Sequence, residues 1–202
     1  MIPQSVSQPR KLCFVTVGAT ASFNSLISTV LSRPTLKALQ EAGYTDLRLQ
    51  FGRDGRAVFD DFILSNEDGS EERCGLSITG FEYNRKGLGQ EMRGATAYSG
   101  RVGGVVVSHA GSGSILDALR LDIPTIVVPN PSLLGNHQVE LAEELASQGY
   151  VVHGKLDDLA TAIAESEKLR ERHKAWPPVN SGADPSGRGL AGVMEDEMGF
   201  VD

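Results

Sequence analysis

The sequence contains few cysteines and no long hydrophobic run. Its 202 residues include two cysteines, Cys13 and Cys74, and two widely separated thiols supply neither a disulfide framework nor a metal-ligand spacing. A membrane-spanning helix needs roughly 18 consecutive apolar residues, and no such stretch occurs. The polar N-terminus also lacks the apolar core of a signal peptide. We therefore expect that any attachment to a membrane depends on another protein.

An excess of positive charge is missing too. The chain has 19 Lys and Arg against 26 Asp and Glu, a formal net charge of -7. General nucleic-acid binders usually present a basic surface, so we expect no nucleic-acid partner. A hydrophobic content of 40% and a charged content of 22% are those of an ordinary globular protein. The length corresponds to one domain.

Short apolar segments alternate with helical patterns along the chain. Strands are predicted over residues 12–17, 47–51, 77–81, 104–108, 124–129 and 150–152. Helices are predicted over 23–31, 34–43, 114–121, 136–148 and 157–172, with 58–63 a candidate helix and 84–101 too rich in glycine to be assigned. This alternation predicts a Rossmann-like α/β fold, a parallel sheet with helices on both faces. Ligands of such sheets bind beyond the carboxyl ends of the strands.

The composition divides the chain into three parts. We expect a flexible N-terminus over residues 1–10, a Rossmann-like domain over 11–175, and a linker with a short terminal element over 176–202. The terminal element has four apolar residues at helical spacing, Leu190, Val193, Met194 and Met198. A helix of about 12 residues is marginal in water by itself. It therefore needs a surface to pack against, either the chain's own domain or a partner protein.

A glycine-rich turn follows the strand that ends at Ser108. It contains Gly111, Ser112, Gly113 and Ser114 and opens a predicted helix. Glycines let the backbone approach a ligand, and a helix N-terminus offers free N–H groups and positive potential. The turn fits neither a P-loop, nor G-x-G-x-x-G, nor a nucleophile elbow. It predicts a diphosphate site, unless one of the serines merely caps the helix.

Further polar residues stand at two helix starts. Asp117, one turn beyond the glycines, can accept hydrogen bonds from a ribose diol, or it is a first-turn acid favoured by the helix dipole. Asn136, His137 and Gln138 form a cluster suited to sugar hydroxyls, unless Asn136 is only an N-cap.

The turn after the first strand contains Gly18 and Thr20. A threonine hydroxyl at the entry to a helix can bind phosphate. It can equally cap the helix, and the sequence leaves both interpretations open.

Residues 108–149 resemble the C-terminal domain of glycosyltransferase family 28. Gly111, Ser114 and Asp117 stand where that family has a small-residue turn followed by an acid, with Asp in place of the more usual Glu. The segment 122–129 resembles the strand that follows, with Asp122 where many relatives have Gly. The next helix of the family resembles His137-Gln138 and Ala142-Glu143-Glu144-Leu145. Several motifs in the right order are more specific than any one of them.

A closer resemblance extends over residues 11–155, to the eukaryotic soluble subunits of the dolichol-pathway N-acetylglucosaminyltransferase. It rests on the segments FVTVGAT at 14–20, LQFGR at 49–53, SHAGSGS at 108–114 and GNHQ at 135–138. Residues 55–73 and the segment after 180 do not match well. The resemblance implies that the domain is the donor-binding half of a GT-B glycosyltransferase.

In that family, UDP-N-acetylglucosamine (UDP-GlcNAc) donates its sugar, with inversion, to dolichyl-diphosphate-GlcNAc during lipid-linked oligosaccharide synthesis for N-glycosylation. The resemblance implies that the donor diphosphate is held by Gly18, Thr20, Gly111, Ser112, Gly113 and Ser114. Asp117 would then hold the ribose and residues 136–138 would meet the sugar, with the loop after Phe81 bordering the uracil. His109 either faces the donor, as a possible catalytic group, or belongs to the core.

A two-lobed transferase also needs an acceptor lobe, and this chain has room only for the donor lobe. The resemblance implies a membrane-anchored partner subunit that brings the chain from the cytoplasm to the cytosolic face of the endoplasmic reticulum. No D-x-D metal motif occurs, so we expect no metal and no cofactor, with helix dipoles stabilising the leaving diphosphate. The alternative is a non-catalytic nucleotide-sugar-binding or scaffold subunit.

Overall fold

The computed structural model describes residues 9–98, 100–133 and 137–175, and a six-stranded parallel sheet forms its centre. The strands are β1 (Arg10–Thr16), β2 (Asp46–Gln50), β3 (Ser77–Phe81), β4 (Arg101–His109), β5 (Thr125–Val128) and β6 (Val152–His153). Their order in the sheet is β3-β2-β1-β4-β5-β6. The chain therefore winds outward in one direction from β1 to β3, then crosses back to β4 and winds the other way. In sheets of this kind ligands bind where the order reverses, which here is between the ends of β1 and β4.

Within the described residues, seven α-helices connect and flank the strands. They are α1 (Asn24–Val30), α2 (Arg33–Glu41), α3 (Arg56–Ser65), α4 (Gly89–Arg93), α5 (Ser112–Arg120), α6 (His137–Ser147) and α7 (Leu159–Ala175), with a short 3-10 helix at Glu71–Arg73. The predicted strands and helices agree with these to within a few residues. The candidate helix at 58–63 is confirmed as α3. Of the described residues between 84 and 100, Gly89–Arg93 form the five-residue α4, and φ is +79° at both Gly87 and Gly100.

Two apolar layers cover the two faces of the sheet. One contains Leu47 and Leu49 of β2 and side chains of α1, α2, α3 and α7, and the other joins Phe14 and Val106 to α4 and α5. The second layer is interrupted at β2, where Arg48 pairs with Glu91 of α4 at 2.6 Å, although Phe81 of β3 also packs against this layer. The alternation Asp-Leu-Arg-Leu-Gln in β2 explains this, because successive side chains point to opposite faces.

The amino ends of the strands are tied to α7 by Glu167. Its carboxylate accepts hydrogen bonds from Lys11 Nζ at 2.8 Å and from the Tyr44 hydroxyl at 2.6 Å. Arg170 contacts the same carboxylate and donates to the Gly104 carbonyl at 2.6 Å. This polar cluster lies at the opposite end of the sheet from the ligand crevice.

Parts of the expected organisation fall outside the description. β1 begins at Arg10, the last residue of the predicted N-terminal lead-in. Residues 1–8 lie outside the described residues, and so do residues 176–202, which hold the predicted linker and terminal helix. Of the helices that are described, none has the length and apolar character needed to cross a bilayer.

Candidate functional site

Three loops at the carboxyl ends of β1, β3 and β4 enclose a cavity of about 310 Å³. The walls are Gly18 and Ala19 after β1, residues 83–84 and 87–88 after β3, and the turn 111–114 after β4. These loops converge because the strand ends are in register, with Thr16 of β1 beside both Gln50 and Ser108. The predicted diphosphate turn and the predicted uracil loop therefore border one cavity.

The N-terminus of α5 opens on this cavity without a side-chain cap. The helix begins at Ser112, and its N-cap is Gly111, with no side-chain hydrogen bond to the first turn. The alternative that Ser112 or Ser114 merely caps the helix is therefore wrong. The first N–H groups of a helix have no intrahelical partner, and here no side chain takes that place. An anion is the natural ligand for such a helix end.

The three glycines of the predicted phosphate site have different roles. A Cβ at Gly113 would meet nothing within 4 Å, so open space adjoins this residue. A Cβ at Gly18 or at Gly111 would lie closer than 3.0 Å to atoms of the His109 ring. Only Gly113 thus leaves room for a ligand directly, whereas Gly18 and Gly111 leave room for a histidine.

The ring of His109 is therefore clamped between the turns that follow β1 and β4. Its Nδ1 is enclosed and has no hydrogen-bond partner among the described residues. Burial lowers the pKa of His109 below its ordinary value of 6.5, and the backbone of Thr16 opposes this effect. The imidazole is consequently mostly neutral at pH 7. Since the residue also lines the cavity, it belongs to both the core and the site.

A buried glutamine at the end of β2 is a feature that sequence reasoning missed. Gln50 is 2% exposed, and its Oε1 accepts a hydrogen bond from the Thr16 hydroxyl at 2.7 Å. Its Nε2 donates to the carbonyl oxygens of Gly18 and Glu82, each at 3.0 Å. The available signal was an amide at the end of β2, next to a predicted ligand loop.

A second cavity of about 620 Å³ adjoins the first and shares Gly18, Ala19, Gln50 and Tyr83 with it. Thr20 lies here and is exposed. Helix α1 begins later, at Asn24, and its N-cap is Phe23 without a side-chain hydrogen bond. Thr20 therefore does not cap α1, and its hydroxyl remains available to a ligand.

Two arginines of the second cavity were also missed. Arg53 and Arg85 line it, each just beyond the end of a strand, together with the acids Asp54 and Glu82. Glu82 pairs with Arg56 at 3.0 Å, and Asp54 accepts a hydrogen bond from Ser22. A sequence signal for these two arginines was available. Each is a basic residue that follows the end of a predicted strand by a few positions, in a chain that is acidic as a whole.

Among the residues predicted for ribose and sugar that the structure describes, Asp117, His137 and Gln138 are not part of the lining of either cavity. Asp117 is exposed and stands 3.5 Å from Arg120 on the same helix. His137 has a side chain that is 84% exposed and lies 3.9 Å from Glu140. Both side chains are held only by weak surface contacts.

Gln138 is more constrained. Its Oε1 accepts a hydrogen bond from the backbone N–H of Asn130 at 2.8 Å, and the Asn130 side chain donates to the Ser22 carbonyl at 3.0 Å. This chain of contacts joins the start of α6 to the turn after β1. Asn136 lies outside the described residues, so its predicted contact with the sugar and its possible role as an N-cap stay open.

Within the part of the chain that the structure describes, no group of three or more His, Cys, Asp or Glu side chains is placed to hold a metal ion. The expectation of a metal-independent reaction remains a prediction.

Comparison with known proteins identifies the family and the fold. Residues 12–178 match the glycosyltransferase family 28 C-terminal domain. The UDP-N-acetylglucosamine transferase subunit ALG13 of Yarrowia lipolytica is 38% identical over 191 residues, which cover 94% of this chain and 86% of that protein. The subunit of the same name from Saccharomyces cerevisiae is 35% identical over 161 residues, 70% of this chain and 76% of the yeast protein.

Solved structures give the same architecture. An NMR solution structure of ALG13 superposes with a TM-score of 0.58 at 29% identity, covering 82% of this chain and 87% of that one. MurG of Acinetobacter baumannii superposes with a TM-score of 0.52 at 14% identity, covering 82% of this chain and 41% of MurG. The second likeness concerns the fold alone. The predicted Rossmann-like sheet of a GT-B glycosyltransferase half is confirmed.

Proposed function

Because the chain belongs to the family of the glycosyltransferase family 28 C-terminal domain, we propose that it is the donor-binding catalytic subunit of an inverting N-acetylglucosaminyltransferase. The donor is UDP-GlcNAc and the acceptor is dolichyl-diphosphate-GlcNAc. The donor assignment draws on relatives named UDP-N-acetylglucosamine transferase subunits, which this chain matches over most of its length.

The observation that supports this function most is the uncapped N-terminus of α5. It opens on a cavity that the turn after β1 also borders, with free space beside Gly113. A donor diphosphate carries negative charge, which a helix N-terminus and loop N–H groups stabilise. Arg53 and Arg85 line the adjoining cavity together with Asp54 and Glu82, and Glu82 is paired with Arg56. Although the chain has a net charge of -7, the N-terminus of α5 therefore favours an anionic ligand in this cavity.

Each predicted contact has a physical basis. The diphosphate would bind to Gly18, Thr20, Gly111, Ser112, Gly113 and Ser114. Asp117 would leave its exposed contact with Arg120 and accept the ribose hydroxyls, at little cost because such surface pairs are weak. Gln138 would donate to the sugar through Nε2, because its Oε1 is occupied by Asn130.

In the reaction, an acceptor hydroxyl oxygen forms a bond to the anomeric carbon of the donor. The bond from that carbon to the β-phosphate oxygen breaks, and UDP leaves with the electron pair. The α5 N-terminus and the loop amides stabilise the charge that grows on the diphosphate. The hydroxyl proton goes to a base, which we assign to the acceptor lobe. For His109, clamped behind the turn, we propose a positioning role.

The acceptor lobe would come from a membrane-anchored partner, which recruits this chain to the cytosolic face of the endoplasmic reticulum. The matched relatives are named subunits, which supports a partner. Residues 188–202 are the proposed docking element.

Transfer in a reconstituted complex tests this function. Membranes containing the partner subunit, with or without this chain, would receive labelled UDP-GlcNAc or UDP-glucose and dolichyl-diphosphate-GlcNAc. We expect disaccharide-lipid only from UDP-GlcNAc, and only with both subunits. Transfer that persists at full rate when the 111–114 turn is altered would instead support a scaffold subunit.

A further inference from the structure

One buried amide joins the loops that border both cavities. Gln50 is 2% exposed, and its partners Thr16, Gly18 and Glu82 are 32 to 34 residues away in sequence. Two belong to the end of β1 and the turn after it, and the third follows β3. The side chain therefore connects three separate segments rather than stabilising its own.

The direction of every hydrogen bond in this group is determined. The Gly18 N–H donates to the Thr16 hydroxyl at 3.1 Å, so the single hydrogen of that hydroxyl is free to go to Gln50 Oε1. The two Nε2 hydrogens of Gln50 then go to two carbonyl oxygens, which can only accept. Both the N–H and the C=O of Gly18 are thereby held. No other orientation of the amide satisfies all of these groups.

These hydrogen bonds to Gly18 matter because Gly18 adopts a φ of +77° and packs against the His109 ring. A looser Gly18 would let the ring move, and with it the turn that begins at Gly111. The second hydrogen of the same Nε2 goes to the Glu82 carbonyl, which also accepts a hydrogen bond from the Gly52 N–H at 3.1 Å. Tyr83, the next residue, lines both cavities.

We propose that Gln50 is a positioning residue that sets the spacing between the turn after β1 and the loop after β3, and hence the fit of the donor nucleotide. It does not touch the donor. This inference rests on the proposed function, since the site it shapes is the proposed donor site. It predicts that loss of the amide weakens donor binding while leaving the acceptor site unaffected.

The test compares Gln50→Leu, which fills similar space without hydrogen bonds, with Gln50→Glu, which places an oxygen opposite two carbonyl oxygens. Ser166→Ala is the matched control, because Ser166 is fully buried but its hydroxyl bonds within α7, to the Ile163 carbonyl at 2.7 Å. Two measurements are made. One is the KM for each substrate in the reconstituted complex, and the other is hydrogen exchange in the full chain alone.

Both Gln50 variants should raise the KM for UDP-GlcNAc about tenfold, equivalent to one hydrogen bond of about 1.4 kcal/mol. The KM for the lipid acceptor should stay within twofold. Peptides covering residues 14–22 and 81–85 should exchange faster. Ser166→Ala should lower the melting temperature and change none of these values.

A donor KM within twofold of wild type in Gln50→Leu, despite a lower melting temperature, would overturn the proposal. So would unchanged exchange over residues 14–22, a result that is independent of whether the donor assignment is right. If Gln50→Leu does not fold, Thr16→Val removes one bond of the same group and should raise the donor KM to a smaller extent. An unchanged donor KM in a folded Thr16→Val variant would equally contradict the proposal.

Discussion

The imidazole of His109 occupies the space that a side chain at Gly18 would fill. A Cβ at Gly18 would lie closer than 3.0 Å to Cε1 and Nε2 of that ring, and so would a Cβ at Gly111. The two turns that bind the proposed diphosphate are therefore spaced by a side chain of the protein itself. This relationship explains why both turns need glycine, independently of any ligand.

Gly111→Ala should destabilise the protein by about 1–3 kcal/mol, the usual effect of overpacking a closely packed site. The backbone at Gly111 has φ -88° and ψ 118°, a conformation that alanine adopts without strain. The effect of the substitution therefore comes from the contact between the new Cβ and the His109 ring. In the double variant with His109→Ala, most of this loss should disappear, because the ring is gone. Urea unfolding of the four proteins gives the coupling energy. Additive effects would show that the ring and Gly111 are not in conflict.

Asp117→Ala should weaken donor binding by roughly 1–3 kcal/mol, the usual loss of a hydrogen bond to a charged group. Asp117→Glu should be milder, since the carboxylate is kept. Isothermal titration with UDP-GlcNAc measures both, and Arg120→Ala is the control, because it removes the neighbouring contact but no proposed ligand. If Asp117→Ala changes only thermal stability, the acid serves the helix dipole instead.

Stability at low pH should depend on Glu167. Burial by itself would raise the pKa of Glu167, but hydrogen bonds from Arg170, Lys11 and Tyr44 outweigh burial and hold it below its ordinary value of 4.5. The unfolded chain therefore binds the proton more readily than the folded one. The stabilisation is present above pH 4.5 and is lost as the pH falls through the lower, folded-state pKa.

Glu167→Gln should accordingly be less stable than wild type at neutral pH, with a difference that shrinks below pH 4.5. Melting temperatures between pH 3 and 7 check this, and donor affinity at pH 7 should be unaffected because the cluster lies at the far end of the sheet. A difference that stays constant with pH would contradict the assignment.

Deletion of residues 188–202 should abolish co-purification with the membrane subunit. These residues lie outside the described structure, and the expectation rests on the apolar stripe formed by Leu190, Val193, Met194 and Met198. The melting temperature of the isolated chain should not change. Retained association would contradict docking through this segment, and a large loss of stability would indicate that the segment packs on the chain's own domain.

Much of the fold could be predicted from sequence because its signals are local. Apolar strands such as Val105–Val107 end at turns, and the helices between them have regular stripes, so the order of elements follows directly. Helix α3 was harder because it buries only Phe59 fully. The open face over β2 could also have been predicted, since Arg48 alternates with Leu47 and Leu49.

The site was predictable only in part, because its decisive contacts join distant segments. The turn at 111–114 has a local signature, but the contact between Gly18 and His109 depends on strand order, which no single window of sequence contains. In the same way, the hydrogen bond from Gln50 to the Glu82 carbonyl depends on the pairing of β2 with β3. The alternative that a serine caps α5 was wrong because serine is a common N-cap residue but Ser112 is already the first residue of the helix. The N-cap position is held by Gly111.

The most direct test of the account is an NMR titration of the full chain with UDP-GlcNAc, comparing wild type with Gly113→Val and Gly113→Ala. We expect the largest shifts at the backbone amides of Gly18 and residues 111–114 in wild type. Gly113→Ala should stay folded, because a Cβ there meets open space, and should bind more weakly. Gly113→Val should stay folded and lose the shifts and all transfer, because its side chain fills the diphosphate space. Undiminished shifts in a folded Gly113→Val protein, or wild-type shifts confined to other residues, would contradict the central claim that this turn holds the donor.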